Sequence, residues 1–190
     1  MDYHATLMRY AVSTTDATVL ALAGLISAAL DETGEHILFI RGLATDEARW
    51  LLVRWFPGVD RALPLEFGAA AVDSQSGSCD DDEFEDLVTL FKSHADPSAG
   101  TTIEVHCISN VLACACLKEE HLWQALRLPS RRELSALLGH WFPRLAEKNV
   151  LGMKWKKFFY KQLCEREGWF VCKVPICSDC RDFADCFGPE

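Results

Sequence analysis

The sequence predicts an all-α fold, a helical bundle with a cysteine-rich metal-binding loop at its C-terminal end. Across most of the 190 residues, apolar side chains recur at the three- and four-residue spacing of helices. Gly and Pro residues that end helices separate these segments. The last residues, 172–190, instead contain four cysteines and few large apolar side chains. We therefore expect a helical domain over 1–168 and a cysteine-rich loop, packed on it, over 169–190.

The first helix is predicted over 17–30, a mostly apolar run. It is shorter than the ~20 residues that span a bilayer and is interrupted by polar residues, so we expect a core helix and no membrane segment. The motif Thr45-Asp46-Glu47 is typical of an N-cap with an acidic first turn, and it predicts a second helix that Pro57-Gly58 ends. Residues 36–40 are assigned to helix or loop, because no partner for a strand is visible elsewhere.

Residues 66–82 are rich in Gly, Ser and Asp, a composition that favours a flexible loop. A third helix is predicted from about 83 to 94. The fourth, 103–117, is apolar around most of its circumference, which predicts a central buried helix. The last helix, 153–167, is expected to end at Gly168 and to lead into the cysteine loop.

Two segments that lie 86 residues apart, 45–57 and 131–143, share six of thirteen residues, and both end in Trp-Phe-Pro. They predict two similar helices. Their Leu-Leu and Trp-Phe residues are expected to pack into the core of an all-helical bundle.

The charge of the chain limits its partners. A formal net charge of −9 and a pI of about 5.1 argue against nucleic acid, whose phosphates are bound by Lys and Arg. No basic stretch followed by an apolar one stands at the N-terminus, so no signal peptide is predicted and a cytoplasmic location is expected. In a reducing cytoplasm, nine cysteines favour metal ligation or redox chemistry over disulfides. Those of the fourth helix are expected to be packed thiols: Cys107, Cys114 and Cys116.

Four cysteines form a C-x4-C-x2-C-x5-C pattern: Cys172, Cys177, Cys180 and Cys186. Thiolates are soft ligands that select zinc, copper(I) or iron–sulfur clusters. Structural zinc sites usually pair two short C-x2-4-C hairpins, whereas this loop has one short gap between two longer ones, which suits the separated corners of a cubane cluster. The spacing favours a cluster over structural zinc, and either metal over a set of unligated thiols.

Three further side chains are candidate metal ligands: Cys164, His121 and His94. Cys164 lies beside the lysines of the last helix, whose charge favours a thiolate. Those lysines share one face of the helix: Lys154, Lys157 and Lys161. They are candidates for balancing an anionic cluster or attracting an oxyanion, although such a face is most often simply solvated. Another face carries the expected core stripe: Trp155, Phe158, Phe159 and Leu163.

Two stretches resemble the NifQ family of nitrogen-fixation proteins: MKWKKFFYKQLCEREG at 153–168, and the four-cysteine loop with its ending CFGPE at 186–190. Weaker similarity at 113–116 and 121–124 extends the resemblance over roughly the C-terminal half. It implies a carrier of a molybdenum–iron–sulfur cluster that supplies molybdenum for the iron–molybdenum cofactor of nitrogenase. The implied partners are the NifEN scaffold and the iron protein NifH, with molybdate or another molybdenum source. The implied cluster ligands are the four cysteines of the loop: Cys172, Cys177, Cys180 and Cys186.

Three classes of function follow. The first is a carrier and donor of a metal cluster rather than an enzyme, since the sequence has no glycine-rich phosphate loop, no G-x-S-x-G and no H-E-x-x-H. The second is a zinc-stabilised helical adaptor whose loop only staples the fold. The third is a redox enzyme that uses the cluster for electron transfer, for which no second cofactor site is visible. Visible absorption separates the first two, because zinc is spectrally silent.

Overall fold

The computed structural model describes residues 1–34, 36–68, 79–168 and 183–188 of the chain. Within these ranges helices predominate, so the all-α prediction is confirmed for the described residues. The elements in chain order are α1 (Tyr3–Arg9), α2 (Ala17–Thr33), β1 (Ile37–Leu38), α3 (Thr45–Trp55), α4 (Val59–Ala62), β2 (Glu66–Phe67), α5 (Cys79–Ser93), α6 (Thr102–Cys116), α7 (Leu122–Ala125), α8 (Arg131–Trp141), α9 (Pro143–Ala146), α10 (Trp155–Arg166) and α11 (Phe183–Phe187).

The long apolar helices α2 and α6 lie in the core, and each begins at a polar cap. The Asp16 carboxylate caps α2 by accepting hydrogen bonds from the N–H groups of Thr18 and Val19 at 2.8 and 3.2 Å. At the start of α6, Thr101 and Glu104 form a capping box in which each side chain accepts a bond from the other's backbone N–H. Ten of the fifteen residues of α6 are buried, which confirms the prediction of a central helix.

The two similar segments form α3 and α8, as predicted. Their shared leucines and tryptophans are buried: Leu51, Leu52, Trp55, Leu137, Leu138 and Trp141. The indole N–H of Trp141 donates to Thr18 Oγ1 at 2.9 Å and so links α8 to α2. The N-cap of α3 lies one residue earlier than expected, at Ala44, whose N–H donates to the Glu47 carboxylate at 2.9 Å.

The assignment of 36–40 to helix or loop is wrong for Ile37–Leu38. These residues form β1, which pairs in parallel with β2 through bonds from Glu66 N–H to His36 O at 2.8 Å and from Gly68 N–H to Leu38 O at 3.1 Å. A strand of two residues is too short to show the period of two by which strands are recognised. Its partner also lies in a segment of loop-like composition.

The predicted loop of 66–82 has regular structure at its described ends, because β2 occupies Glu66–Phe67 and α5 begins at Cys79. Residues 69–78 lie outside the described residues. The start of α5 therefore precedes the predicted start, at about residue 83, by four residues.

The predicted core stripe of α10 is confirmed, since all four of its members are buried. Phe159 packs edge-on against Phe91 of α5 with ring centroids 4.9 Å apart, and Trp155 stacks on Phe159 at 5.8 Å. This packing fixes the N-terminal part of α10 on the helical body. Among the described helices, none combines the length and apolar character that a bilayer crossing requires.

Candidate metal centre

The C-terminal helix α11 carries Cys186 and is held against the start of α10. The N–H of Lys154, the N-cap residue of α10, donates a hydrogen bond to the Cys186 carbonyl oxygen at 2.7 Å. The Lys154 ammonium lies 3.4 Å from the carbonyl oxygen of Ala184. Both bonds use the backbone of α11, so this anchor does not involve the half-buried Cys186 side chain.

Aromatic packing and a glycine determine the local structure of α11. The rings of Phe183 and Phe187 stack with centroids 4.6 Å apart and an angle of 24° between their planes. After the helix, the Gly188 N–H donates to the Ala184 carbonyl oxygen at 2.8 Å. A Cβ at position 188 would collide with that oxygen, so the turn that follows Cys186 requires glycine.

The other three cysteines of the pattern lie outside the described residues: Cys172, Cys177 and Cys180. Among the residues that are described, no group of three or more His, Cys, Asp or Glu side chains is placed to hold a metal ion. The structure therefore positions one of the four predicted ligands, and the four-cysteine site stays a prediction.

Cys164 and His121, two of the additional ligand candidates, stand in different elements. Cys164 is half-buried on α10, ten residues beyond Lys154 and so about 15 Å along the helix axis from the residue that anchors Cys186. His121 is the N-cap of α7, and its backbone N–H donates to Gln124 Oε1 at 3.2 Å. The backbone of His121 thus has a structural role in starting α7.

The third candidate, His94, has a partner at each ring nitrogen. Nδ1 lies 2.9 Å from the carbonyl oxygen of Leu90, and Nε2 lies 3.0 Å from the ammonium of Lys148. An ammonium can only donate, so Nε2 accepts and Nδ1 carries the proton. A metal at Nε2 would have to displace Lys148.

The three predicted lysines follow one side of α10. Lys154 anchors α11, Lys157 is exposed, and the Lys161 ammonium lies 3.6 Å from the Glu165 carboxylate. Lys161 also lines the same groove as Phe187. This arrangement places positive charge next to the helix that carries the cluster-ligand candidate.

The cysteines of α6 behave as packed thiols, as predicted. Burial raises the pKa of Cys107 and of Cys116 to about 12, and that of Cys114 to about 11. Metals bind the thiolate, so burial that disfavours ionisation also disfavours metal binding by these thiols. Among the described residues, none of the three belongs to a group of side chains placed to hold a metal ion.

Comparison of the sequence with known protein families identifies a match that covers most of the chain. The family model described as NifQ matches residues 21–188. The chain belongs to the NifQ family. The family model matches from residue 21, whereas the resemblance of the motifs covers only about the C-terminal half.

Curated NifQ proteins show the same relationship. The chain is 49% identical to Protein NifQ of Azotobacter vinelandii over 109 residues, which are 57% of this chain and 54% of that protein. It is 38% identical to a Protein NifQ homolog of Sinorhizobium fredii over 148 residues, 77% of this chain and 60% of that protein. Against Protein NifQ of Rhodobacter capsulatus it is 42% identical over 89 residues, 47% of this chain and 49% of that protein. The chain thus spans about half to three fifths of these relatives, and no solved structure gave a significant match.

Two polar contacts of α10 lie outside the site residues that the sequence predicts. Tyr160 Oη donates to the Glu83 carboxylate, and the Lys156 ammonium donates to a carbonyl oxygen between α6 and α7. Burial lowers the pKa of Lys156, against the opposing effects of the nearby Cys116 and Glu120. The sequence contained one indication of these contacts: Lys156 and Tyr160 are four residues apart, which puts both on one face of α10. These two bonds tie α10 to α5 and to the segment between α6 and α7.

Proposed function

We propose that this chain acts in nitrogen fixation as a carrier that receives molybdenum into an iron–sulfur cluster and donates it for assembly of the iron–molybdenum cofactor of nitrogenase. Membership of the NifQ family supports the context, and the position of Cys186 carries the proposal. Cys186 is the last of four cysteines and is anchored by its backbone to the helical body. Its half-buried side chain lies at the edge of that body, where a cargo can be both held and released.

The donor set fits such a cargo. Molybdenum and iron among sulfides require soft ligands, and thiolates are the softest that a protein supplies. Four thiolates around one centre concentrate negative charge, which lysines on one side of α10 offset: Lys154, Lys157 and Lys161. The same lysines attract molybdate, an oxyanion, toward the site.

The proposed role is that of a carrier rather than of an enzyme, and its proposed clients are the NifEN scaffold and NifH. A carrier must be able to release its cargo while the rest of the protein stays folded. The core cluster spans residues from α1 to α10 and includes the buried stripe of α10, whereas no residue of α11 is buried. Removal of the cargo is therefore expected to leave the helical body folded. A cytoplasmic location is proposed with this role, since the reducing cytoplasm keeps thiols available.

Anaerobic purification followed by iron, sulfide and molybdenum analysis tests the proposal. The wild-type protein is expected to be brown, with broad visible absorption, and to contain all three elements. Serine substitution of each loop cysteine should lower bound iron after reconstitution: Cys172, Cys177, Cys180 and Cys186. Cys107→Ala is the matched control, because this buried thiol is expected to leave the iron content unchanged.

Two outcomes would contradict the proposal. Full iron retention in all four serine variants would exclude the loop as the cluster site. Stoichiometric zinc without visible absorption would instead support a zinc-stabilised adaptor. The iron content of Cys164→Ser shows whether a fifth cysteine contributes to cluster binding. The iron contents of His94→Ala and His121→Ala test the two histidine candidates in the same way.

A further inference from the structure

An exposed apolar cluster surrounds the attachment of α11. In the turn that precedes α10, Val150 is 83% exposed and Leu151 is 68% exposed. On α11, Phe183 is 44% exposed and stacks on Phe187. Covering these side chains would be favourable, because removing apolar surface from water stabilises a complex by roughly 25 cal/mol per Å². Such a cluster is typical of a surface that another molecule covers.

These side chains form one continuous surface. A groove of about 460 Å³ is lined by Val150, Leu151 and Phe187. Met153, which precedes α10, and Phe158, in its first turn, form part of the apolar lining. We call this surface the α11 face, defined by the groove and the stacked Phe183.

Lysines border the α11 face. Lys148 and Lys161 line the groove itself, and Lys154 contacts the backbone of α11. Glu165 also lines the groove, 3.6 Å from the Lys161 ammonium, so the positive charge of the rim rests mainly on the other lysines. Lys157 lies three residues after Lys154 and four before Lys161, so it continues the same side of α10 and is exposed. An apolar centre with a charged rim is the usual composition of a protein–protein interface.

This basic rim stands on a chain whose formal net charge is −9. An acidic partner is repelled by the chain as a whole and attracted at this face, which favours one docking orientation. A second copy of the chain fits less well, because a two-fold contact joins two copies of the same lysine-bordered surface, which offers less charge complementarity than an acidic partner.

We infer that the α11 face docks an acidic protein client, which thereby contacts the helix that carries Cys186. This inference rests on the proposed function, since a client of the carrier must approach the cluster. The contact of Lys154 with α11 joins the docking surface to the ligand-bearing helix. The apolar groove supplies the binding free energy, and the lysine rim supplies orientation and association rate.

Binding measurements with two purified probes, NifEN and NifH, test the inference with the cluster-loaded chain. At least one probe is expected to bind, with an association rate that falls as salt is raised. Leu151→Ser and Lys157→Glu should each raise the Kd by about tenfold or more. The matched controls are Val53→Ser and Lys92→Glu, exposed positions on α3 and α5 that are expected to leave the Kd unchanged.

The outcomes separate docking from cargo binding. Leu151→Ser should keep the wild-type iron content, because Leu151 lies outside the proposed ligand set. A Leu151→Ser variant that binds as tightly as wild type would overturn the inference while leaving the carrier proposal intact. Loaded protein that binds neither probe would overturn the inference and the two proposed clients, but not the proposed cargo. Failure of the wild-type protein to hold iron, with client binding retained, would overturn the carrier proposal alone. Dimerisation that Leu151→Ser abolishes, seen by sedimentation, would show that a second copy covers the face and would also overturn the inference.

Discussion

Two cysteines of α6, Cys107 and Cys116, differ in their surroundings from Cys186 of α11. Cys107 and Cys116 lie in the core, where burial raises the pKa of each thiol to about 12. Cys186 is half-buried on a helix that has no buried residue. A thiol must lose its proton to bind a metal, so burial disfavours metal binding by Cys107 and Cys116 relative to a cysteine at the edge of the helical body. The two helices should also contribute differently to the free energy of unfolding, since α6 belongs to the core and α11 is attached to its edge.

Replacement of a core residue of α6 should have the largest effect. Leu112 is 1% exposed, and Leu112→Ala is expected to lower the free energy of unfolding by roughly 2–5 kcal/mol, because it leaves a cavity. Chemical denaturation of the metal-free protein measures this. Val53→Ala, at an exposed position of α3, is the control and should change it by less than ~0.5 kcal/mol. A loss below about 1 kcal/mol for Leu112→Ala would remove α6 from the centre of the fold.

Thiol reactivity tests the comparison directly. In native, metal-free protein at pH 8, a hydrophilic alkylating reagent is expected to modify Cys186 at least about 100-fold faster than Cys116, because a buried thiol is neither ionised nor accessible. Peptide mass spectrometry gives the two rates. Denatured protein, in which both should react alike, provides the reference. Equal rates in the native protein would mean that the core of α6 opens as readily as α11.

The cap of α6 should make a smaller contribution that depends on pH. Burial alone would raise the pKa of Glu104, but hydrogen bonds from Thr101 and the charge of Arg54 outweigh it, so the pKa of this carboxyl is lowered. Glu104→Gln is therefore expected to reduce the free energy of unfolding by about 1.5–3 kcal/mol at pH 7.

The sign of the pH dependence follows from the lowered pKa. The contribution of Glu104 is fully present above its ordinary pKa of 4.5 and is lost as the pH falls through the lower value of the folded state. Below pH 4.5 the difference between wild type and Glu104→Gln should accordingly shrink, as measured by denaturation at a series of pH values. A difference that stays constant down to pH 3 would contradict this account.

The turn after α11 should have the smallest effect on global stability. Gly188→Ala is expected to change the free energy of unfolding by less than ~0.5 kcal/mol, since α11 contributes no fully buried residue. It should nevertheless speed amide hydrogen exchange in α11, because the new Cβ collides with the Ala184 carbonyl oxygen. Gly139→Ala is the matched control: its Cβ meets nothing within 4 Å, and inside α8 it should stabilise by roughly 0.5–1 kcal/mol. Unchanged exchange in Gly188→Ala would show that α11 does not depend on this turn.

Much of the helical body was predictable because its signals are local. The apolar runs of α2 and α6, and the stripe of α10, gave the helices and their buried faces from spacing alone. The pairing of β1 with β2 could not be predicted, because a two-residue strand is too short to show alternating polarity and the two strands are distant in the sequence. The cap of α3 was misplaced by one residue because Glu47 accepts from the backbone of Ala44, an alternative that the sequence Thr45-Asp46-Glu47 does not reveal.

Three features could be read from the sequence: the predominance of helices, the pattern of four C-terminal cysteines and the resemblance to the NifQ family, which the family match then showed. Three others required the folded chain: the anchor of Cys186, the burial that raises the pKa of some cysteines, and the groove that Val150 and Leu151 share with Phe187. The physical reason is the range of the interactions. Periodicity and capping act over a few residues, whereas desolvation of a thiol and continuity of a surface depend on segments that only folding brings together.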